Sequence, residues 1–302
     1  MLHNETEIFE QLILRTSEYL NIKPEIIEKD YFVTVFLKKL VEKMPEIIFK
    51  GGTSLSKCYG LIERFSEDID LNMLAETKPS ESKRKKLKSS IIETIDDLNF
   101  TLANPENVKS RREFNRYIVD YPSVMSANYL KEKLIVETAI YQRAYPTKRM
   151  IASSFIYKYL HENGFDDFIT ENKLEPFELN VQTAERTLID KLYALSDYYL
   201  GNTITEHSRH IYDIYKLTSI VNIDENLKAL AIQVAEERKP NVRCYSVQDG
   251  VDIKKVLTEI IEKEIYRQDY ETITKLLLFE DVSYEIAISE LKAIVESELF
   301  DF

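Results

Sequence analysis

Apolar residues recur along this chain in two rhythms, and the places where one gives way to the other mark out its elements. Ile8, Leu12, Ile13, Tyr19 and Leu20 follow helical spacing. Pro24 opens a second helix through Ile26, Ile27, Tyr31, Val35, Phe36 and Leu40, and Pro45 ends it. Residues 46–50, Glu-Ile-Ile-Phe-Lys, form a short β-branched and aromatic run that stops at Gly51-Gly52, and residues 53–59 can then start a helix. The pattern here is strand, glycine turn, helix N-terminus. From Asp68 to Met73 the chain alternates, which puts Ile69 and Leu71 on one face of a strand and Asp68 and Asp70 on the other. A lysine-rich amphipathic helix with Ile91, Ile92, Ile95 and Leu98 follows, then strands over 116–122, 133–141 and 177–181. Thr183 is a residue type that caps helices, and helical periods continue from there to the end, as in Leu188, Leu192, Leu195 and Ile286, Leu291, Ile294. The expectation is an α+β fold with a domain over 1–182 built on a small mixed sheet, then a helical domain over 183–302. No repeat of 20–50 residues is apparent.

Composition narrows the class. Of 302 residues 44% are hydrophobic, enough for a real core, so wholesale disorder is excluded, and the 6 glycines and 8 prolines exclude collagen-like and linker-rich chains. Three of the glycines, Gly51, Gly52 and Gly60, fall within ten residues of one another. Two cysteines and four histidines offer neither a disulfide framework nor a Cys/His zinc spacing. The N-terminus lacks the marks of a secretory signal, and no apolar run approaches the ~20 residues of a membrane span. A cytoplasmic protein without a membrane partner is expected.

The net charge of -12 hides a division. Residues 78–149 carry 15 Lys/Arg against 9 Asp/Glu, so the rest of the chain sums to -18. The basic positions cluster, as in Lys83-Arg84-Lys85-Lys86 with Lys88, and in Lys109, Arg111, Arg112 and Arg116. Such runs more often mark a solvated helix face than a polyanion site.

The chemistry concentrates at Gly51-Gly52-Thr53-Ser54 and, after thirteen residues, Asp68-Ile69-Asp70. Carboxylates at i and i+2 on a strand project the same way and repel one another unless a divalent cation lies between them. The glycine turn and helix N-terminus offer backbone N–H groups, and Ser54 a hydroxyl, to a nucleotide phosphate. Together these features point to phosphoryl or nucleotidyl transfer assisted by two metals. The alternative is an ordinary turn and an exposed strand face.

The strings themselves carry more. Phe49-Lys50-Gly51-Gly52-Thr53-Ser54-Leu55-Ser56-Lys57, followed by Arg64-Phe65-Ser66-Glu67-Asp68-Ile69-Asp70-Leu71, resembles the first motif of the AbiEii/AbiGii toxin family of nucleotidyltransferases, relatives of polymerase β. Upstream, Glu28-Lys29-Asp30-Tyr31-Phe32 resembles the segment that precedes that motif. Downstream, residues 185–195 around Lys191 and residues 209–217 around Asp213 resemble the family's lysine and closing aspartate motifs. The resemblance implies a polymerase β-like nucleotidyltransferase domain, with Gly51, Gly52, Thr53 and Ser54 at the nucleotide phosphates and Asp68 and Asp70 on Mg²⁺ or Mn²⁺. It also implies Lys191 on the triphosphate and Asp213 as a further essential acid. Asp190 stands where the family usually carries Glu, so no independent role carries over to it.

Three more residues join as candidates. Polymerase-β relatives place a third acid on a neighbouring strand, and Glu137 fits as a third metal carboxylate, an exposed strand glutamate being the alternative. Lys57, one helical turn past Thr53, is within reach of the phosphates or else a surface residue. Arg209 shares the helix face of Asp213, where it is a candidate contact for nucleotide or RNA.

The family implies a toxin of a type IV toxin–antitoxin or phage-defence system that transfers NMP from an NTP to RNA. Some members of the family modify the 3′ end of tRNA, and a cognate antitoxin accompanies the toxin. Two readings stand beside it: NMP transfer to a protein hydroxyl, and a nucleotide-binding regulatory module without turnover.

Overall fold

The computed structural model describes residues 1–66, 68–74, 79–110, 112–125 and 133–302. Of the positions singled out above, Glu67, Lys78 and Arg111 lie outside them. The chain forms two compact units, one of Met1–Tyr59 with Ser66–Val181, the other of Gly60–Phe65 with Gln182–Phe302.

The first unit is built on a mixed sheet. Its strands are β1 (Ile47–Lys50), β2 (Asp68–Met73), β3 (Thr101–Leu102), β4 (Phe114–Asp120), β5 (Lys133–Ala139), β6 (Thr147–Ala152) and β7 (Phe177–Gln182), in the order β3-β4-β5-β2-β1-β7-β6. β2 runs antiparallel to β1 and parallel to β5, β4 runs antiparallel to β5, and β7 lies parallel to β1. Alternation along each strand sends Ile69, Leu71, Tyr117, Val119, Leu134 and Val136 into one buried apolar cluster. Helices α1 (Thr6–Leu20), α2 (Pro24–Lys43) and α4 (Glu81–Asp97) supply its other half, through Phe9, Ile13, Phe32, Phe36, Leu87 and Ile91. His3 is buried there too, with Nδ1 2.9 Å from the Tyr31 hydroxyl and its ring against Phe32 and Phe100.

Several elements differ from the pattern reading. The glycine turn is absent: α3 (Gly51–Lys57) begins directly after β1, because Gly51 at φ +73° makes the change of direction in one residue. The β4 and β5 strands begin or end two residues earlier than the apolar runs suggest. β3, β6, α5 (Phe155–Glu162) and α6 (Asp166–Glu171) carry no signal read above. β6 lies at the sheet edge with Lys148, Arg149 and Ile151 exposed, so it lacks the clean alternation of a half-buried strand.

The second unit is helical: α7 (Ala184–Leu200), α8 (Arg209–Thr218), α9 (Glu225–Arg238), α10 (Ile253–Glu262) and a last helix, Tyr284–Glu296. Thr183 caps α7 by accepting from Arg186 N. Leu188, Leu192, Leu195, Ile211, Ile214, Leu257, Leu291 and Ile294 fill its interior. The segment Gly60–Phe65 is held in this unit by its backbone. Phe65 N donates to Leu277 O at 2.9 Å, Phe279 N to Glu63 O at 2.8 Å, and Glu63 N to the Tyr212 hydroxyl at 2.9 Å. Among the described residues no helix is long and apolar enough to cross a membrane.

Candidate active site

Strand register assembles a line of charges that no stretch of sequence displays. Lys50 pairs with Asp70 across β1 and β2, Asp70 with Glu137 across β2 and β5, and Glu137 with Arg116 across β5 and β4. The order cation, acid, acid, cation thus runs across four adjacent strands. It lies on the face opposite Ile69, Val136 and Tyr117, because strand neighbours alternate sides. Asp68 projects the same way as Asp70, two residues along β2. Burial pushes the Glu137 carboxyl up to about 7, and Asp70 and then Asp68 add to the shift against the opposing pull of Arg116, whose Nε stands 3.4 Å from Oε1. Among the described residues no group of three or more His, Cys, Asp and Glu side chains is drawn together tightly enough to hold a metal by itself.

The glycine motif meets this line at one point. A β-carbon on Gly51 would stand 2.0 Å from Asp70 Oδ2, so the carboxylate occupies the space that any other residue would fill. Thr53 ties α3 to the start of β2, its hydroxyl donating to Asp68 O at 2.6 Å and lying 2.9 Å from Ser66 Oγ. Ser54, expected at the phosphates, is buried and donates its hydroxyl to Gly51 O at 2.8 Å. Lys57, expected at the phosphates or the surface, has its ammonium among Asp30 Oδ1 (2.5 Å), Thr34 Oγ1 (2.6 Å) and Ser153 O (3.1 Å), with its side chain 3% exposed.

The upstream motif, to which pattern reading attached no role, is thereby explained in part. Asp30 binds Lys57 through Oδ1 and caps α5 by accepting from Phe155 N at Oδ2 (2.8 Å). Glu28, buried, accepts from Ser123 Oγ, Val124 N and Met125 N, so it fixes the chain that leaves β4. Acids at i and i+2 of a helix, set among the apolar residues Ile26, Ile27, Tyr31 and Phe32, were the available signal. Their partners are 27 to 125 residues away.

In the second unit Lys191 and Asp213 meet, with Nζ 2.5 Å from Oδ2. Arg64 closes on the same carboxylate with two bonds, Nε to Oδ1 at 2.7 Å and Nη2 to Oδ2 at 2.8 Å. Burial by itself would raise the Asp213 carboxyl, yet Arg64 and Lys191 outweigh it and hold the group well below the usual carboxylate range. Burial draws the Lys191 ammonium down, opposed by Asp213. His210 Nδ1 lies 3.5 Å from Lys191 Nζ, and burial, followed by that cation, keeps its imidazole neutral. Arg209, at the start of α8, is half-buried. Asp190 accepts from Gln182 Nε2 at 2.7 Å and Arg186 Nε at 3.2 Å, within the packing of its own unit.

The mixed sheet followed by a helical region is the α+β class expected, and the match to known proteins is specific. Residues 35–295 match the family described as nucleotidyl transferase AbiEii toxin, type IV TA system. The chain belongs to this AbiEii family of nucleotidyltransferase toxins. No curated protein matches it significantly. Among solved structures it is similar to MenT4, a nucleotidyltransferase toxin from Mycobacterium tuberculosis H37Rv, at a TM-score of 0.51 and 17% identity over 97% of this chain and 90% of that one. At that identity the likeness is one of fold.

Proposed function

We propose that this protein is a catalytically active toxin that transfers NMP from an NTP to an RNA acceptor, the 3′ end of tRNA, inside the cell, and that a cognate antitoxin restrains it. The observation that carries this reading is the placement of Asp70 opposite Glu137, on the face that Asp68 shares, with the Glu137 carboxyl raised by burial and then by its acidic neighbours. Like charges so arranged gain most from a divalent cation.

Asp68, Asp70 and Glu137 are the residues that would hold Mg²⁺ or Mn²⁺. When bound there, such ions would supply Lewis-acid activation of the acceptor hydroxyl and neutralise the charge of the pyrophosphate leaving group. The chain's own groups do the remaining work. Gly51 and Gly52 admit the backbone close to the phosphates, and the N–H groups at the start of α3 donate to them. Thr53 holds α3 and β2 in fixed relation through its hydroxyl bond to Asp68 O, and the Ser54 hydroxyl braces the first turn of α3 by donating to Gly51 O. Lys191 is the cation for the triphosphate and Asp213 orients it, with Arg209 as a second positive contact.

Incubation with each of the four α-³²P-labelled NTPs, total tRNA and a separate protein fraction tests the proposal. Label is expected on RNA with wild type and lost with Asp70→Asn. Label on protein, or retained cellular toxicity of Asp70→Asn, overturns it in favour of a protein acceptor or a binding module.

A further inference from the structure

The two cations that end the charged line are not alike. Arg116 holds its Nε 3.4 Å from Glu137 Oε1, so its charge is spent within the line. Lys50 stands opposite Asp70 in the antiparallel pairing of β1 and β2 and projects to the same face as that acid, while Phe49 before it is buried in the core on the other side. Lys50 is half-buried, yet among the described residues its ammonium has neither a hydrogen-bond nor an ion-pair partner. Its charge is nonetheless felt at Glu137, two strands away, where it opposes the rise of that carboxyl. A cation that has lost part of its hydration without gaining a partner gains most from an anion.

Position says which anion. Gly51 and Gly52 follow Lys50 directly and are the residues at which the proposed function places the nucleotide phosphates. β1 and β5 flank β2 on opposite sides, so Lys50 lies on the side of Asp70 away from Glu137. The acids thus have a cationic flank next to the glycines and an acidic flank on β5. A chain of phosphates is attracted to the first and repelled by the second.

We propose that Lys50 is a further catalytic residue, its ammonium meeting the β- and γ-phosphates of the NTP and stabilising pyrophosphate as it leaves. The assignment rests on the nucleotidyl-transfer reading and extends it, giving the donor a lysine contact in addition to Lys191. In the transfer the acceptor oxygen bonds to the α-phosphorus and gives its proton to water. The bond from the α-phosphorus to the bridging oxygen breaks, and its electron pair leaves with pyrophosphate. A fixed cation does most for the charge that gathers there.

The test is calorimetric titration of magnesium pyrophosphate into the protein, with neither NTP nor RNA present, run beside the transfer kinetics. Lys50→Gln is expected to weaken pyrophosphate binding about tenfold and to lower kcat about a hundredfold, and Lys50→Arg to restore much of both. Thermal melts check that the variants fold, and Lys50→Met takes the place of Lys50→Gln if the latter does not. Unchanged pyrophosphate affinity in Lys50→Gln, or no pyrophosphate binding by wild type, overturns the assignment. Unchanged affinity with tighter Mg²⁺ binding would make Lys50 a counter-charge to the acids and nothing more. If pyrophosphate binding depends on Lys50 but wild type transfers no NMP, the phosphate contact stands and the transfer reading falls. If transfer proceeds with kcat unchanged in Lys50→Gln, the transfer reading stands and the assignment to Lys50 falls.

Discussion

The carboxylate of Asp70 lies against the bare Cα of Gly51, in the volume where a side chain would begin. The two residues belong to different halves of the first motif, and their contact explains why a glycine opens α3. It supplies a positive φ and a vacancy at the same position. Gly51→Ala is therefore expected to do two things. The left-handed backbone costs about 1–2 kcal/mol, and the added carbon displaces Asp70 from its line with Glu137. Transfer activity should fall to the level of Asp70→Asn, with a small drop in melting temperature. Wild-type turnover in Gly51→Ala would separate the contact from catalysis.

Asp213 and Asp70 are expected to fail differently. Both Asp213 oxygens are occupied, by Arg64 and Lys191, in a site where the carboxylate is 0% exposed. Asp213→Asn leaves two buried cations without their counter-charge, a loss of about 3–5 kcal/mol. Its melting temperature should drop sharply, whereas Asp70→Asn, on the half-buried face of β2, should melt close to wild type. Equal melting temperatures would show that Asp213 acts in the chemistry alone.

Lys57→Gln is expected to act through stability. It strands Asp30 among the groups that cap α5 and anchor α3, so thermal melting should shift while the affinity of the folded fraction for NTP holds. A variant with wild-type melting and weakened NTP binding, read by calorimetry, would place Lys57 at the phosphates after all.

His3 gives the fold an acid-sensitive contribution. Burial lowers its pKa from 6.5 to about 4. Between those values the unfolded chain holds a proton that the folded chain does not. The contribution is therefore whole above pH 6.5 and is lost as pH falls toward 4, by about 3 kcal/mol in all. Urea titrations from pH 4 to 8 should show this slope in wild type and its removal in His3→Gln. Parallel curves would exclude it.

The basic run of α4 divides by face. Lys83, Lys85 and Lys86 are exposed, but Arg84 turns toward Glu113 and Lys88 donates to Val108 O at 3.0 Å. Gln at 83, 85 and 86 is expected to lower the salt slope of RNA binding by up to about 0.7 per lost phosphate contact. Gln at 84 and 88 should reduce stability instead. An unchanged slope in the triple variant would remove α4 from the RNA surface.

Local pattern carried much of this protein. Alternation over 68–73 and the β-branched run before Gly51 marked β2 and β1, and the helical periods after Thr183 marked the helical region that follows the sheet, because side-chain spacing is a property of each segment alone. The motif strings likewise sufficed for the family, since they are contiguous. What sequence could not show is which strand stands beside which. Only pairing across β1, β2, β5 and β4 sets Lys50, Asp70, Glu137 and Arg116 in one line, and a one-residue slip would turn any of them to the other face. The same holds for Arg64, present in the first motif but given meaning by an Asp213 149 residues away. The chain's own order determined the elements and the residue types available for chemistry. Tertiary structure decided which of those residues became neighbours, because register and burial are settled between segments and not within them.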